Sequence, residues 1–250
     1  MSPTGSAGPR WGRSGEWFDV DAFRSAKGRA AVLRRATQTA VVLGSTQDER
    51  VVDRRRMAQS GFALARRRSG GGAVLVTPGD PLWIDLWIPR GDPLWSDDVS
   101  VAAEWVGEWW VAALSAVGLG GDAQLSVQRG SSVRSSWSDL VCFAGAGPGE
   151  VFIADRSGSA APRKLVGVAQ WRGREGALFH SAAYCRFEPQ PLVELLDVPD
   201  DGRLPMIERL SSVATGLEAV AGGDFDVDRL RQALIELLPS GAPWAVQTEP

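Results

Sequence analysis

The sequence predicts an α+β fold. Short apolar runs rich in β-formers alternate with Gly/Ser/Pro punctuation, one long stretch with helical spacing sits among them, and three helical segments gather towards the end. With 250 residues, 44% apolar and 23% charged, the chain can bury the core of one large or two small domains.

Residues 1–16 are polar and rich in Gly, Ser and Pro, and read as a flexible lead; Trp17–Ala36 reads as an amphipathic or irregular approach. Thr39–Leu43 suits a buried strand closed by Gly44. Thr46-Gln-Asp-Glu49 has the spacing of a capping box, and Val51, Val52, Arg55, Met57 and Ala58 continue on a helical period up to Gly61. A helix just after the strand is expected. Phe62–Arg67 and Ala73–Thr77 read as two strands, the second returning from a sharp turn at Ser69-Gly-Gly-Gly72.

Leu82–Ile88 is nearly all apolar and predicts a strand buried on both faces, with Asp85 its odd polar member. Asp98–Val117 is the clearest helix: Val101, Ala102, Trp105, Trp109, Ala112, Ala113 and Ala116 recur at steps of three and four. Asp97 and Asp98 suit its positive N-terminus and Gly118 its C-cap. Gln124–Gln128, Leu140–Ala144, Val151–Asp155, Lys164–Arg172 and Ala177–Phe187 are further strand candidates. Pro191–Leu196, Met206–Val220 and Val227–Leu238 are helical.

Composition excludes several chemistries. A net charge of −3, from 27 basic and 30 acidic residues, gives no field that would gather nucleic acid. One histidine and two widely separated cysteines cannot furnish a zinc site. The start of the chain has no apolar leader, and no apolar stretch reaches the roughly 20 residues of a membrane span, so a soluble cytoplasmic protein with reduced thiols and no membrane partner is expected.

Two motifs concentrate chemistry. Arg66-Arg-Arg-Ser-Gly-Gly-Gly-Ala-Val74 sets three cations and a hydroxyl before bare backbone whose amides can donate to an anion, although the same residues would serve as a plain turn with exposed arginines. Arg163-Lys-Leu-Val-Gly-Val-Ala-Gln170 holds one of only two lysines, followed by small Gly167 and Ala169. An ammonium there could meet a phosphate or carboxylate, or could simply be a solvated strand-end charge. Trp83, Trp87, Trp105 and Trp109 fall at strand or helix periods and read as core.

The two motifs in this order, some ninety residues apart, resemble the lipoate-protein ligase A family of the biotin/lipoate ligase superfamily, over roughly residues 39–187. Leu43-Gly-Ser-Thr-Gln47 resembles that family's strand-end Gly-x-x-Gln, Ser138-Asp-Leu140 its Asn-Asp-Leu, and Gly176–Ser181 its segment ending in His-Gly. The resemblance implies a catalytic domain over 17–190, with mixed, mostly antiparallel sheets flanked by helices, and a short helical C-terminal extension over 191–250.

It further implies that lipoate or octanoate reacts with ATP to an acyl-adenylate, which a lysine of a lipoyl domain then attacks. Lys164 would be pivotal, as a cation bridging carboxylate and α-phosphate. Gly70, Gly71 and Gly72 would line the acyl-adenylate with Arg66 or Arg67 near its charge, and Ser69, Ala73, Gly167, Ala169 and His180 would complete that site. Asp139 would hold Mg2+. Expected partners are lipoyl domains of 2-oxoacid dehydrogenase complexes or the glycine cleavage H protein. The arginine clusters at 54–56 and 66–68 are candidates for docking an acidic acceptor.

Cys142-Phe143 resembles the Cys-Phe of cysteine-dependent octanoyltransferases in the same superfamily. This opens an alternative in which Cys142 takes octanoate from an acyl carrier protein thioester without ATP, although Cys142 also suits a small buried hydrophobe. Val76-Thr77 stands where many relatives of the ligase family carry His-Asp, which leaves a non-catalytic acyl binder as a further alternative.

Overall fold

A computed structural model describes residue 23 and residues 28–120, 124–154 and 161–249. The lead at 1–16 and Asp155 at the end of one strand candidate lie outside the described residues. The architecture is α+β, with a seven-stranded and a three-stranded mixed sheet flanked by helices.

The strands are β1 (Arg29–Arg34), β2 (Ala40–Leu43), β3 (Ala63–Arg66), β4 (Val74–Val76), β5 (Leu82–Pro89), β6 (Leu125–Val127), β7 (Val151–Ile153), β8 (Arg163–Arg172), β9 (Gly176–Ala183) and β10 (Trp244–Thr248). The helices are α1 (Arg54–Ser60), α2 (Glu104–Ala116), α3 (Gln190–Leu195), α4 (Asp200–Val213), α5 (Leu217–Ala221) and α6 (Val227–Glu236). The large sheet runs β10-β1-β5-β9-β8-β7-β6 and the small one β3-β2-β4. Only β1–β10 and β2–β3 pair in parallel among the named strands.

β5 is buried on both faces, as its composition predicts. Leu82, Ile84, Leu86 and Ile88 face a core shared with α2 and α6, whereas Trp83, Asp85 and Trp87 alternate to the opposite side. α2 sinks Val106, Trp109, Trp110, Ala113 and Leu114 into the same core, and Trp109 Nε1 donates to Leu234 O of α6 at 3.0 Å. Each such large apolar side chain stabilises the fold by about 1.5–3 kcal/mol.

Several expectations are corrected. β3 and β4 are not a hairpin: β2 lies between them, parallel to one and antiparallel to the other, so the glycine segment crosses over the end of β2. α1 starts at Arg54, capped by Asp53, whose carboxylate accepts from Arg55 N and Arg56 N, while Asp48 caps a separate short 3-10 turn over Glu49–Val51. α2 begins at Glu104, because Asp98 accepts from Ser100 N and folds 98–103 into turns.

Leu140–Ala144 is not a strand but ends in a 3-10 turn at Cys142–Ala144. The helix expected over Met206–Val220 is two helices. Ala214 turns extended, Thr215 N donates to Lys164 O at 2.9 Å, and Gly216 passes so close to Cys185 O that a Cβ would sit 2.5 Å from it. Pairing with β8 overrides the local helical pattern. β1 and β10 were not anticipated; they extend the large sheet, and α6 packs on α2.

Candidate functional site

The glycine segment is shaped by close approach. A Cβ on Gly44 would lie 1.9 Å from Gly71 O and one on Gly72 2.4 Å from the Val141 carbonyl carbon, and Gly71 has φ +95°. Arg67 is buried beneath this loop: Nη2 donates to Gly70 O and Gly72 O at 2.8 Å each, Nη1 to Val42 O at 3.3 Å and Nε to Ser69 Oγ at 3.1 Å. Arg66 Nη1 donates to Gly44 O at 2.9 Å. Both guanidiniums brace the loop.

Gln47 joins the end of β2 to the 139–140 backbone. Its Oε1 accepts from Gly44 N at 2.9 Å, and its Nε2 donates to Asp139 O at 2.8 Å. The segment so fixed delivers Cys142, whose N donates to Ala73 O at 3.1 Å.

β8 brings Lys164 up from the other side. Its side chain is 1% exposed; Nζ donates to Cys142 O at 2.9 Å, lies 2.7 Å from Glu150 Oε2 and sits 5.2 Å from the Phe143 ring centre. Glu150 also accepts from Gly147 N at 2.7 Å and from Val168 N at 3.4 Å. Burial pushes the Glu150 carboxyl above the ordinary carboxylate range, although Lys164 and these donors pull the other way.

Sequence reading missed Glu150. Its signal was modest: a lone acid between Gly149 and the apolar Val151, at the mouth of a strand.

These groups line a cavity of about 340 Å3, with Gly70–Gly72, Cys142, Glu150 and Lys164 on its walls and the turns before α2 at its side. Gly145, Ala146, Gly147 and Pro148 cover part of it. Behind it a pocket of about 20 Å3 lies between Arg67, Cys142, Phe143, Gly167, Ala169 and His180. Gly167 is confined by the Phe143 ring, 3.1 Å from where its Cβ would be.

His180 Nδ1 donates to Asp85 Oδ1 at 2.7 Å. The Asp85 carboxylate also accepts from Trp83 Nε1 at 2.9 Å and from Arg34 Nε at 2.7 Å, and Arg34 reaches on to Glu249. Burial by itself would raise the Asp85 carboxyl, but His180 and Arg34 together hold it below the ordinary range.

The structure therefore brings Gly70, Gly71, Gly72, Cys142, Lys164 and Ala169 to one cavity and Gly167 and His180 to the pocket behind it. Arg67 borders that pocket, whereas Arg66, Ser69 and Ala73 line neither space. Asp139 is set apart: its carboxylate is 78% exposed, pairs with Arg134 and is absent from the cavity wall. Among the described residues no group of three or more His, Cys, Asp or Glu is placed to hold a metal. Nor is any helix among them long and apolar enough to cross a membrane.

The sequence model of the lipoyl protein ligase A/B catalytic domain matches residues 22–238. The chain belongs to this family. Comparison with curated proteins finds no match.

The lipoyl ligase fold is equally evident among solved structures. A bipartite lipoate protein ligase of Thermoplasma acidophilum, studied with its E2 lipoyl domain, superposes with a TM-score of 0.62 at 23% identity, over 84% of this chain and 69% of that one. A lipoate-protein ligase A bound with ATP gives 0.60 at 22% identity, over 87% and 74%. A lipoic-acid-bound structure of a T. acidophilum protein described as a lipoate ligase gives 0.58 at 21%, over 84% and 70%.

Proposed function

We propose that the protein transfers a lipoyl or octanoyl group to a lysine of a lipoyl domain, with the acid first activated by ATP. The observation that carries this reading is the buried Lys164, the single lysine of the site, facing the bare glycine loop across a cavity large enough for a small ligand. The acyl carboxylate attacks the α-phosphorus of ATP and pyrophosphate leaves. The acceptor lysine, as free amine, then attacks the acyl carbonyl, AMP leaves and the nitrogen gives up a proton.

Lys164 would stabilise the charge gathering on the carboxylate and phosphate oxygens, with the backbone of Gly70–Gly72 alongside. Gly167, Ala169 and His180 would border the acyl chain, and Arg67 and Ser69 would hold the loop in shape. Ala73 and Arg66 act behind it. Mg2+ would enter with the nucleotide phosphates, and no step here depends on a protein ligand to it. That related folds are described with ATP, with lipoic acid or with an E2 lipoyl domain supports the same reading.

A second reading has its own support. Lys164 is already neutralised by Glu150, which weakens its pull on a polyanion, while the Cys142 thiol stands between the cavity and the pocket behind it. There the Cys142 thiolate would attack the thioester of an octanoyl acyl carrier protein, expelling the carrier thiolate, and the acceptor lysine would resolve the acyl-enzyme.

Intact mass spectrometry of an apo lipoyl domain decides between the two. Lipoate or octanoate with Mg·ATP is compared with octanoyl acyl carrier protein without ATP. A lipoyl or octanoyl increment that needs ATP and survives Cys142→Ser establishes ligation. An octanoyl increment without ATP that Cys142→Ser abolishes establishes the thioester route. No increment in either arm defeats both and leaves an acyl binder, to be read from lipoate binding alone.

A further inference from the structure

Beside the catalytic cavity lies a second, larger basin of about 490 Å3, whose wall carries Arg134, Arg163 and Arg209 with the hydroxyls of Ser135 and Ser212. No carboxylate is among its described lining residues. Arg134 is paired with Asp139, but Arg163 and Arg209 have no ion-pair partner among the described residues. Two exposed guanidiniums lining one concavity, with no counter-charge among the described residues, suit an anionic surface.

The position is as informative as the charge. Arg163 and Lys164 are consecutive on β8, so their side chains leave opposite faces of the strand, one into the basin and the other into the catalytic cavity. Gly145 and Ala146 line both spaces. Arg209 lies on α4, and the residues just after α4 bond back to the backbone of Lys164. A body seated in the basin is one strand residue away from the reacting groups.

The arginine clusters at 54–56 and 66–68 are differently placed. Arg66 and Arg67 are engaged with loop carbonyls, Arg56 pairs with Asp53 and Asp200, and Arg54 and Arg55 line neither cavity nor basin.

We propose that this basin is the docking surface for the acceptor domain, receiving an acidic face of that domain on Arg163 and Arg209 so that its lysine enters the neighbouring cavity. The assignment rests on the reading of the protein as an acyl transferase to lipoyl domains. It adds which surface selects the acceptor and by what chemistry.

The test measures binding of an apo lipoyl domain to the full chain by calorimetry, alongside transfer. Docking by these charges predicts that Kd weakens by about tenfold between roughly 0.05 and 0.3 M salt. Arg163→Glu/Arg209→Glu should weaken Kd at low salt by about tenfold or more and flatten the salt dependence, with transfer recovering as acceptor is raised. Arg54→Glu/Arg55→Glu, with the same change in net charge, should leave Kd within about twofold.

Equal weakening by both charge reversals, no effect of the basin pair, or no binding of the domain overturns the proposal. Salt-dependent binding lost only in the basin pair, with no acyl transfer from either donor, upholds the docking surface and defeats the functional reading instead.

Discussion

Lys164 and Glu150 form an ion pair of 2.7 Å with side chains only 1% and 4% exposed, directly beneath the cavity. Removing one partner of such a pair leaves an uncompensated buried group, whereas removing both takes away cost and gain together. Lys164→Met should therefore destabilise the fold by about 3–5 kcal/mol in urea unfolding, and Lys164→Met/Glu150→Leu should recover much of that loss. Neither variant should transfer acyl groups; turnover in the double variant would remove Lys164 from the chemistry.

The glycines of the loop are not equivalent. Gly72 has backbone of Val141 and Cys142 within 2.4–2.7 Å of where a Cβ would be, while Gly70 has nothing within 4 Å. Gly72→Ala should cost more than about 2 kcal/mol, and Gly70→Ala should stay within about 0.5 kcal/mol. Equal thermal shifts in the two variants would contradict the close packing of the loop on the 141–142 segment.

Asp85 offers a prediction in pH. Its carboxyl is held below the ordinary range in the folded protein, so its contribution is present above the unfolded value near 4 and is lost as pH falls through the folded one. Asp85→Asn should lower stability at pH 7 by on the order of 3 kcal/mol, and the gap from the parent should narrow in acid. A gap independent of pH between 7 and 3 would show that the carboxylate charge is immaterial.

The two cysteines should part in reactivity. Burial, reinforced by Asp80 and Glu218, pushes the Cys185 thiol up to about 11, so at neutral pH it stays protonated and unreactive. In a Cys142→Ser background, iodoacetamide labelling should rise about tenfold per pH unit from 8 towards 10. Fast labelling at pH 7 would refute the burial argument.

The motif residues that meet at the cavity were legible because their chemistry is rare in this sequence: one of two lysines, one of two cysteines and an uninterrupted glycine triplet. Arg66 and Arg67 were read as cations for a ligand, yet both brace carbonyls. Composition cannot tell an arginine that meets substrate from one that holds a loop; only the burial of Arg67 does. Glu150 escaped because its partner is 14 positions away on β8, and no local pattern joins them.

The fold was legible where the pattern is local, as in β5 and α2. It was not where distant partners decide, as for β3 and β4, which sit on either side of β2. The extended break after α4 likewise exists because Lys164 O accepts from Thr215 N.

The parallel pairing of β1 with β10 joins Arg29–Leu33 to Trp244–Thr248, the first and last strands described. During synthesis, β1 can meet β5 early, but its outer edge must wait until residue 248 has left the ribosome. A nascent chain stalled before that point would present an unpaired edge open to other polypeptides. The tie from Glu249 through Arg34 to Asp85 and His180 forms at that same late moment, so the His180 side of the pocket behind the cavity is braced only once β10 is in place.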